Sequence, residues 1–164
     1  MYQASVPVLI RQLENLSNVL KKGEAFAAAK KIEPEVLLNA RLAPDMFSLT
    51  RQVQIASDTS KGCAARLAGT EIPKYEDNEK TFAELQARIT RTITYLKTFK
   101  ANQIDGTEEN KIILKIGGKE LAFTGQTYLL GFVLPNFYFH CTTTYAILRH
   151  NGVELGKRDY LGAV

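Results

Sequence analysis

Two histidines, His140 and His150, are the only imidazoles in a chain of 164 residues, so any histidine chemistry must run through them. Both fall in the last apolar stretch of helical periodicity. Ten residues turn a helix through about 1,000° and advance it about 15 Å, leaving the two side chains about 80° apart in rotation. One ion cannot take both. His150, just before Asn151-Gly152, reads as a surface cation near a helix C-terminus, where positive charge is favoured. His140 is the stronger candidate. Asn136 stands one turn before it, at i and i+4, among Phe137, Tyr138 and Phe139. The pair could carry two polar groups into a bundle interior, or His140 could be a satisfied structural histidine.

Gln54 and Asp58 belong to another helical stretch and could approach His140 across a helix contact. Imidazole plus carboxylate, with Gln54 and Asn136 completing the shell, makes a weak donor set for a divalent metal: zinc, nickel, manganese or iron. In a catalytic reading His140 and Asp58 are the working pair. Asp58 could equally be exposed, or orient the imidazole from behind. No cofactor is demanded by these residues. A small molecule in a pocket around His140 is the simpler expectation.

Asp45 reads as a cap or first-turn carboxylate of the second long helix. Cys63 and Cys141 are far apart and lack metal-ligand spacing; reduced thiols are expected, with no disulfide required. Tyr145 and Arg149, at i and i+4, read as a helix-surface pair. Phosphate-loop, dinucleotide, His-Glu-x-x-His and nucleophile-elbow motifs are missing.

The elements that must position these residues are mostly helices. Val6, Leu9, Ile10, Leu13, Leu16, Val19 and Leu20 form one apolar stripe, giving a first helix over about 5–29 with Ser5 as its cap. Pro34 opens a short helix. Met46, Leu49, Val53, Ala56, Ala64 and Leu67 mark a second long helix that closes near Gly69, with Gly62 inside it. Thr81-Phe82-Ala83-Glu84 is a capping box opening a third helix. Two short strands flank Gly117-Gly118 and predict a hairpin. A last long helix runs over about 126–150; Pro135 should kink or break it, and Asn151-Gly152 should stop it. The expected fold class is all-α, a four-helix bundle in one domain over 1–164, with a small β-hairpin between helices three and four.

The formal net charge of +4 is spread along the chain without a dense basic block, which argues against nucleic acid as a partner. No apolar run has the length of a membrane span, and no secretory leader pattern opens the sequence. The expectation is a cytoplasmic protein with neither a membrane nor a nucleic-acid partner.

Four segments carry a resemblance: Leu37-Leu38-Asn39-Ala40-Arg41-Leu42-Ala43-Pro44-Asp45-Met46-Phe47, Arg51-Gln52-Val53-Gln54, Leu134-Pro135-Asn136-Phe137-Tyr138-Phe139-His140, and Ala146-Ile147-Leu148-Arg149-His150-Asn151-Gly152-Val153. Together they resemble a bacterial domain-of-unknown-function family within the DinB/YfiT-like metalloenzyme superfamily, across nearly the whole chain. The resemblance implies an up-down-down-up bundle and a homodimer. It also implies a metal held by three histidines, one from the second helix and two from a His-x-x-x-His pair in the last. Some members of the superfamily are thiol-dependent transferases. Here the last-helix pair falls at Asn136 and His140, and the second-helix position falls near Gln54 or Asp58. The chain thus keeps one of the three expected ligands.

Overall fold

Helix α1 spans Val6–Lys30. Its stripe of Leu9, Leu13, Leu16 and Leu20 is buried in the common core. Ser5 stands before it but does not cap it: its hydroxyl donates to the carbonyls of Met1 and Tyr2 and closes a preceding 3-10 turn. Gly23 lies inside α1 because α7 passes close there; a Cβ would come within 2.9 Å of a Leu148 methyl. The helix therefore runs through this glycine and ends at Lys31, which takes the left-handed conformation at φ 55°. The structure, a computed structural model, describes residues 1–163.

A short helix α2, Pro34–Leu38, leads into a turn-rich segment. Helix α3 spans Leu49–Leu67, starting later than the apolar pattern alone suggests. Pro44 and Asp45 lie in a turn before it, so Asp45 neither caps α3 nor joins its first turn. The start is set over a distance: the Leu49 amide donates to the Ala40 carbonyl at 2.9 Å, anchoring the preceding segment to the helix. At the other end Gly69, at φ 65°, supplies the left-handed turn after α3.

An extended strap, residues 70–80, crosses to α4, Phe82–Leu96. Both halves of the Thr81–Glu84 capping box form, at 3.1 and 3.0 Å. After a single turn, α5 (Ala101–Ile104), come β1 (Lys111–Ile116) and β2 (Lys119–Thr124). They pair antiparallel, with Ile112 opposite Phe123 and Leu114 opposite Leu121. Gly117 and Gly118 have φ of 56° and 77°, the positive values this two-residue turn requires. Ile112 and Leu114 are buried, so the hairpin is held by the bundle and does not stand alone.

The last long helical run is continuous but not uniform. A turn, α6 (Gly125–Thr127), passes into a π-helical stretch, Tyr128–Val133, and then into α7, Leu134–His150. Pro135 is the second residue of α7. It lacks an N–H for the carbonyl four residues back, and its ring would push that carbonyl aside. A wider π stretch lies just before it, and the helical run continues through the proline without the break expected from it. α7 ends as Asn151-Gly152 implies: Gly152 sits at φ 94°, and the Val153 amide reaches back to the Leu148 carbonyl at 3.1 Å. A short helix α8, Lys157–Leu161, returns onto α1, where Gln12 and Asn15 donate to the Tyr160 carbonyl at 3.3 and 3.2 Å.

The four long helices α1, α3, α4 and α7 form an up-down-down-up bundle around one apolar core. α3 lies against both α4 and α7, diagonal to α1. No described helix is long and apolar enough to cross a membrane.

Candidate functional site

α3 and α7 meet along a seam that contains two polar bridges. The Asn136 amide donates to the Thr59 hydroxyl at 2.9 Å. One turn further along α7, His140 Nδ1 lies 2.6 Å from the Gln52 carbonyl oxygen. The Gln52 amide nitrogen donates to the Phe47 carbonyl at 3.1 Å, which fixes the amide orientation. The Nδ1 position must therefore carry the proton, leaving Nε2 with a lone pair and, among the described residues, no hydrogen-bond partner. His140 is 7% exposed. Burial, with the charge of Arg51 adding to it, pulls its pKa from 6.5 to about 4. The ring is neutral near pH 7 and held in one tautomer.

The other candidate residues lie elsewhere on α3. Asp58 pairs with Lys61 and accepts from Arg88 at 2.8 Å. Gln54 donates to Glu79 at 2.8 Å and accepts from Arg51 at 3.2 Å. Both thus face the strap and α4. Gln54 is two residues from Gln52, about 200° around the helix, while Thr59 is seven residues from Gln52 and returns to nearly the same face. The structure brings Asn136 and Asp58 to one cavity, and places His140 and Gln54 outside its lining. The four side chains do not form one donor set. Among the described residues, no group of three or more His, Cys, Asp or Glu is placed to hold a metal ion.

That cavity, about 210 Å³, opens between α3, the hairpin and the π-helical stretch. Asp58, Thr59 and Arg66 line it from α3, Leu114, Lys115 and Ile116 from β1, and Tyr128, Phe132 and Asn136 from the last helical run. Arg66 reaches it across Gly62, where a Cβ would stand 2.5 Å from the guanidinium, and donates to the Tyr128 hydroxyl at 3.0 Å. Gly62 therefore makes room for a side chain of its own helix, not for a neighbouring helix. Gln52, Arg66 and Tyr128 were not among the residues singled out by spacing. The one local signal was the Gly62–Arg66 separation of four, one helical turn.

Next to the seam, Arg88 ties the strap to the bundle. Its side chain is buried, and it donates to the Glu76 carbonyl and the Glu79 carboxylate while pairing with Asp58 and Asp77. Burial opposes its charge. The Glu79 hydrogen bond and the charges of Asp58, Glu79 and Asp77 outweigh burial and hold its pKa above the ordinary arginine value. Tyr75 of the strap stacks its ring under Lys61 and Arg91, at 4.2 and 4.0 Å.

The family described as "Domain of unknown function (DUF1993)" matches residues 1–161. No curated protein matches the chain. Among solved structures it is similar to a DinB family member protein from Shewanella denitrificans, at 47% identity and a TM-score of 0.93, covering 99% of this chain and 92% of that one. The fold, the family match and this likeness converge: the chain belongs to the DUF1993 family of DinB/YfiT-like helical bundles.

Proposed function

We propose that this single-domain protein binds a small molecule on the α3–α7 seam, in the cavity beside Asn136 and Asp58, with His140 one turn away as a neutral, oriented imidazole. The observation that carries this reading is the cavity itself, bounded by polar side chains at a break in helix regularity. π-helical insertions are found frequently at functional sites. A divalent metal fits the seam poorly. Asp58 is already neutralised by Lys61 and Arg88, Gln54 is engaged by Glu79 and Arg51, and Asn136 gives its amide to Thr59.

A second reading, a divalent-metal-dependent enzyme such as a thiol-dependent transferase, has one observation in its favour. An imidazole whose Nδ1–H is held by an amide carbonyl and whose Nε2 is free is the usual posture of a metal-binding histidine. Cytoplasmic residence and a homodimer complete the proposal.

The test combines two measurements on untagged protein purified without chelator. Metal content is read by mass spectrometry, and a library of small molecules is screened by thermal shift. Hits that are lost when Leu114→Trp fills the cavity support the seam. A stoichiometric transition metal that disappears in His140→Ala replaces it with the metalloenzyme reading.

A further inference from the structure

The polar part of the seam cavity is built around a cation without a counter-charge. Arg66 makes no ion pair among the described residues; its one side-chain partner is the Tyr128 hydroxyl, 3.0 Å away. Its remaining N–H groups are unspent. Tyr128 is 1% exposed, and its hydroxyl oxygen accepts from Arg66, so its own proton has no acceptor among the described residues. Both residues line one cavity, and neither is paired with an acid among the described residues. The carboxylate on the cavity wall, Asp58, does not answer them: its charge is engaged by Lys61 and by Arg88. Asn136 keeps a second amide N–H beyond the one given to Thr59. The apolar part of the wall is Leu114 and Ile116 on one side and Phe132 on the other, and Lys115, between the two strand residues, pairs with Glu120 at 3.4 Å.

We propose that this cavity is a carboxylate site: Arg66 and the Tyr128 hydroxyl clamp the carboxylate of a small organic acid, and Leu114, Ile116 and Phe132 enclose its hydrocarbon part. Guanidinium and hydroxyl donors suit a planar carboxylate, which accepts on both oxygens. The cavity also has room for such an acid. A volume of about 210 Å³ corresponds to about seven water molecules at about 30 Å³ each, room for an acid the size of benzoate. Gly62 leaves room for the guanidinium, since a Cβ there would stand 2.5 Å from it. Burial pushes the Tyr128 phenol up to about 12, against the opposing charge of Arg66, so it stays a donor throughout the physiological range.

This inference rests on the seam being a small-molecule site, and the experiment separates the two. Labelled full-length protein is titrated by NMR with benzoate and with benzamide, its uncharged analogue. The expected result is that benzoate shifts the resonances of Arg66, Leu114, Tyr128 and Asn136, at least tenfold more tightly than benzamide. Tyr128→Phe should weaken benzoate at least fivefold and benzamide by less, since the neutral amide oxygen accepts a weaker bond. The comparison on the unaltered protein stands by itself if that variant folds poorly. Equal binding of both probes in the cavity overturns the carboxylate assignment and leaves the seam reading in place. No shift at those residues with either probe up to saturation overturns both.

Discussion

At the scale of single residues, His140 and Arg88 show how burial and partners decide what a charged side chain does. His140 is buried and stands beside the Arg51 cation, and both circumstances favour the neutral ring, while the Gln52 oxygen fixes which nitrogen carries the proton. Its folded pKa of about 4 lies below the ordinary 6.5, so the unfolded chain takes up the proton first as the pH falls. The neutral ring's stabilisation is complete above about 6.5 and is lost progressively down to about 4. The loss amounts to about 3 kcal/mol at most. Proton NMR should find the His140 ring signals flat between pH 8 and 5, and a His140→Gln variant should show a shallower loss of stability from pH 6.5 to 4. A midpoint near 6.5 for His140 would mean that the ring is not buried as described. Arg88 is the opposite case, a buried cation kept charged by three carboxylates. Replacing it with Ala leaves Asp58, Asp77 and Glu79 facing one another with reduced compensation. Because Asp58 and Asp77 are partly exposed, the cost should be about 2–3 kcal/mol by urea denaturation. Arg88→Lys should recover little, since one ammonium cannot span the several acceptors a guanidinium reaches.

At the scale of elements, what was legible in the sequence was local. The Thr81–Glu84 box, the Gly117-Gly118 turn and the Asn151-Gly152 stop each depend on bonds spanning three to five residues, and each formed as read. The start of α3 was not legible, because a bond from Leu49 back to Ala40 sets it. Nor was the π stretch: Pro135 announces a misfit, but its position does not show that the helical run continues through it. The candidate site follows the same division. Asn136 and His140 share a face by spacing alone, whereas their partners depend on which face of α3 turns to α7. Of the residues first paired with them, Gln54 turns to the strap, and Asp58, though it lines the same cavity as Asn136, spends its charge on Lys61 and on Arg88 of α4. The end of α1 offers a direct test of local geometry. Lys31 is exposed, holds φ 55°, and closes the helix with the Ile32 amide bonded to the Ala27 carbonyl at 2.9 Å. That bond is the glycine-type helix ending, made here by a residue whose Cβ is strained in it. Lys31→Gly should therefore raise stability by up to about 1 kcal/mol, despite the greater freedom it gives the unfolded chain. A loss measured by thermal or urea denaturation would show that the Lys31 side chain contributes more than its backbone costs.

At the scale of the whole molecule, the two cysteines report on whether the bundle opens in parts or all at once. Cys63 lies on α3 and Cys141 on α7, both free and both within the single core. Burial raises the Cys63 thiol to about 12 despite the nearby charge of Arg66, and burial alone holds Cys141 well above its ordinary range. A thiol reagent needs both a thiolate and a path to it. In the native fold each cysteine lacks both. Both cysteines belong to the same continuous core cluster, so access to either requires that this packing be lost. Labelling should therefore proceed through global unfolding, at least about a thousandfold more slowly than in the urea-unfolded chain, given the usual stability of such domains. Mass spectrometry of partly labelled protein should find the two sites modified in parallel. Lys31→Gly should slow both by the same factor, since it stabilises the whole equilibrium without touching either cysteine. Arg88→Ala should accelerate both together. If Cys141 reacts much faster than Cys63, α7 opens while α3 stays packed. The seam would then be a mobile boundary, and a ligand could enter it by displacing α7 instead of passing beneath the hairpin.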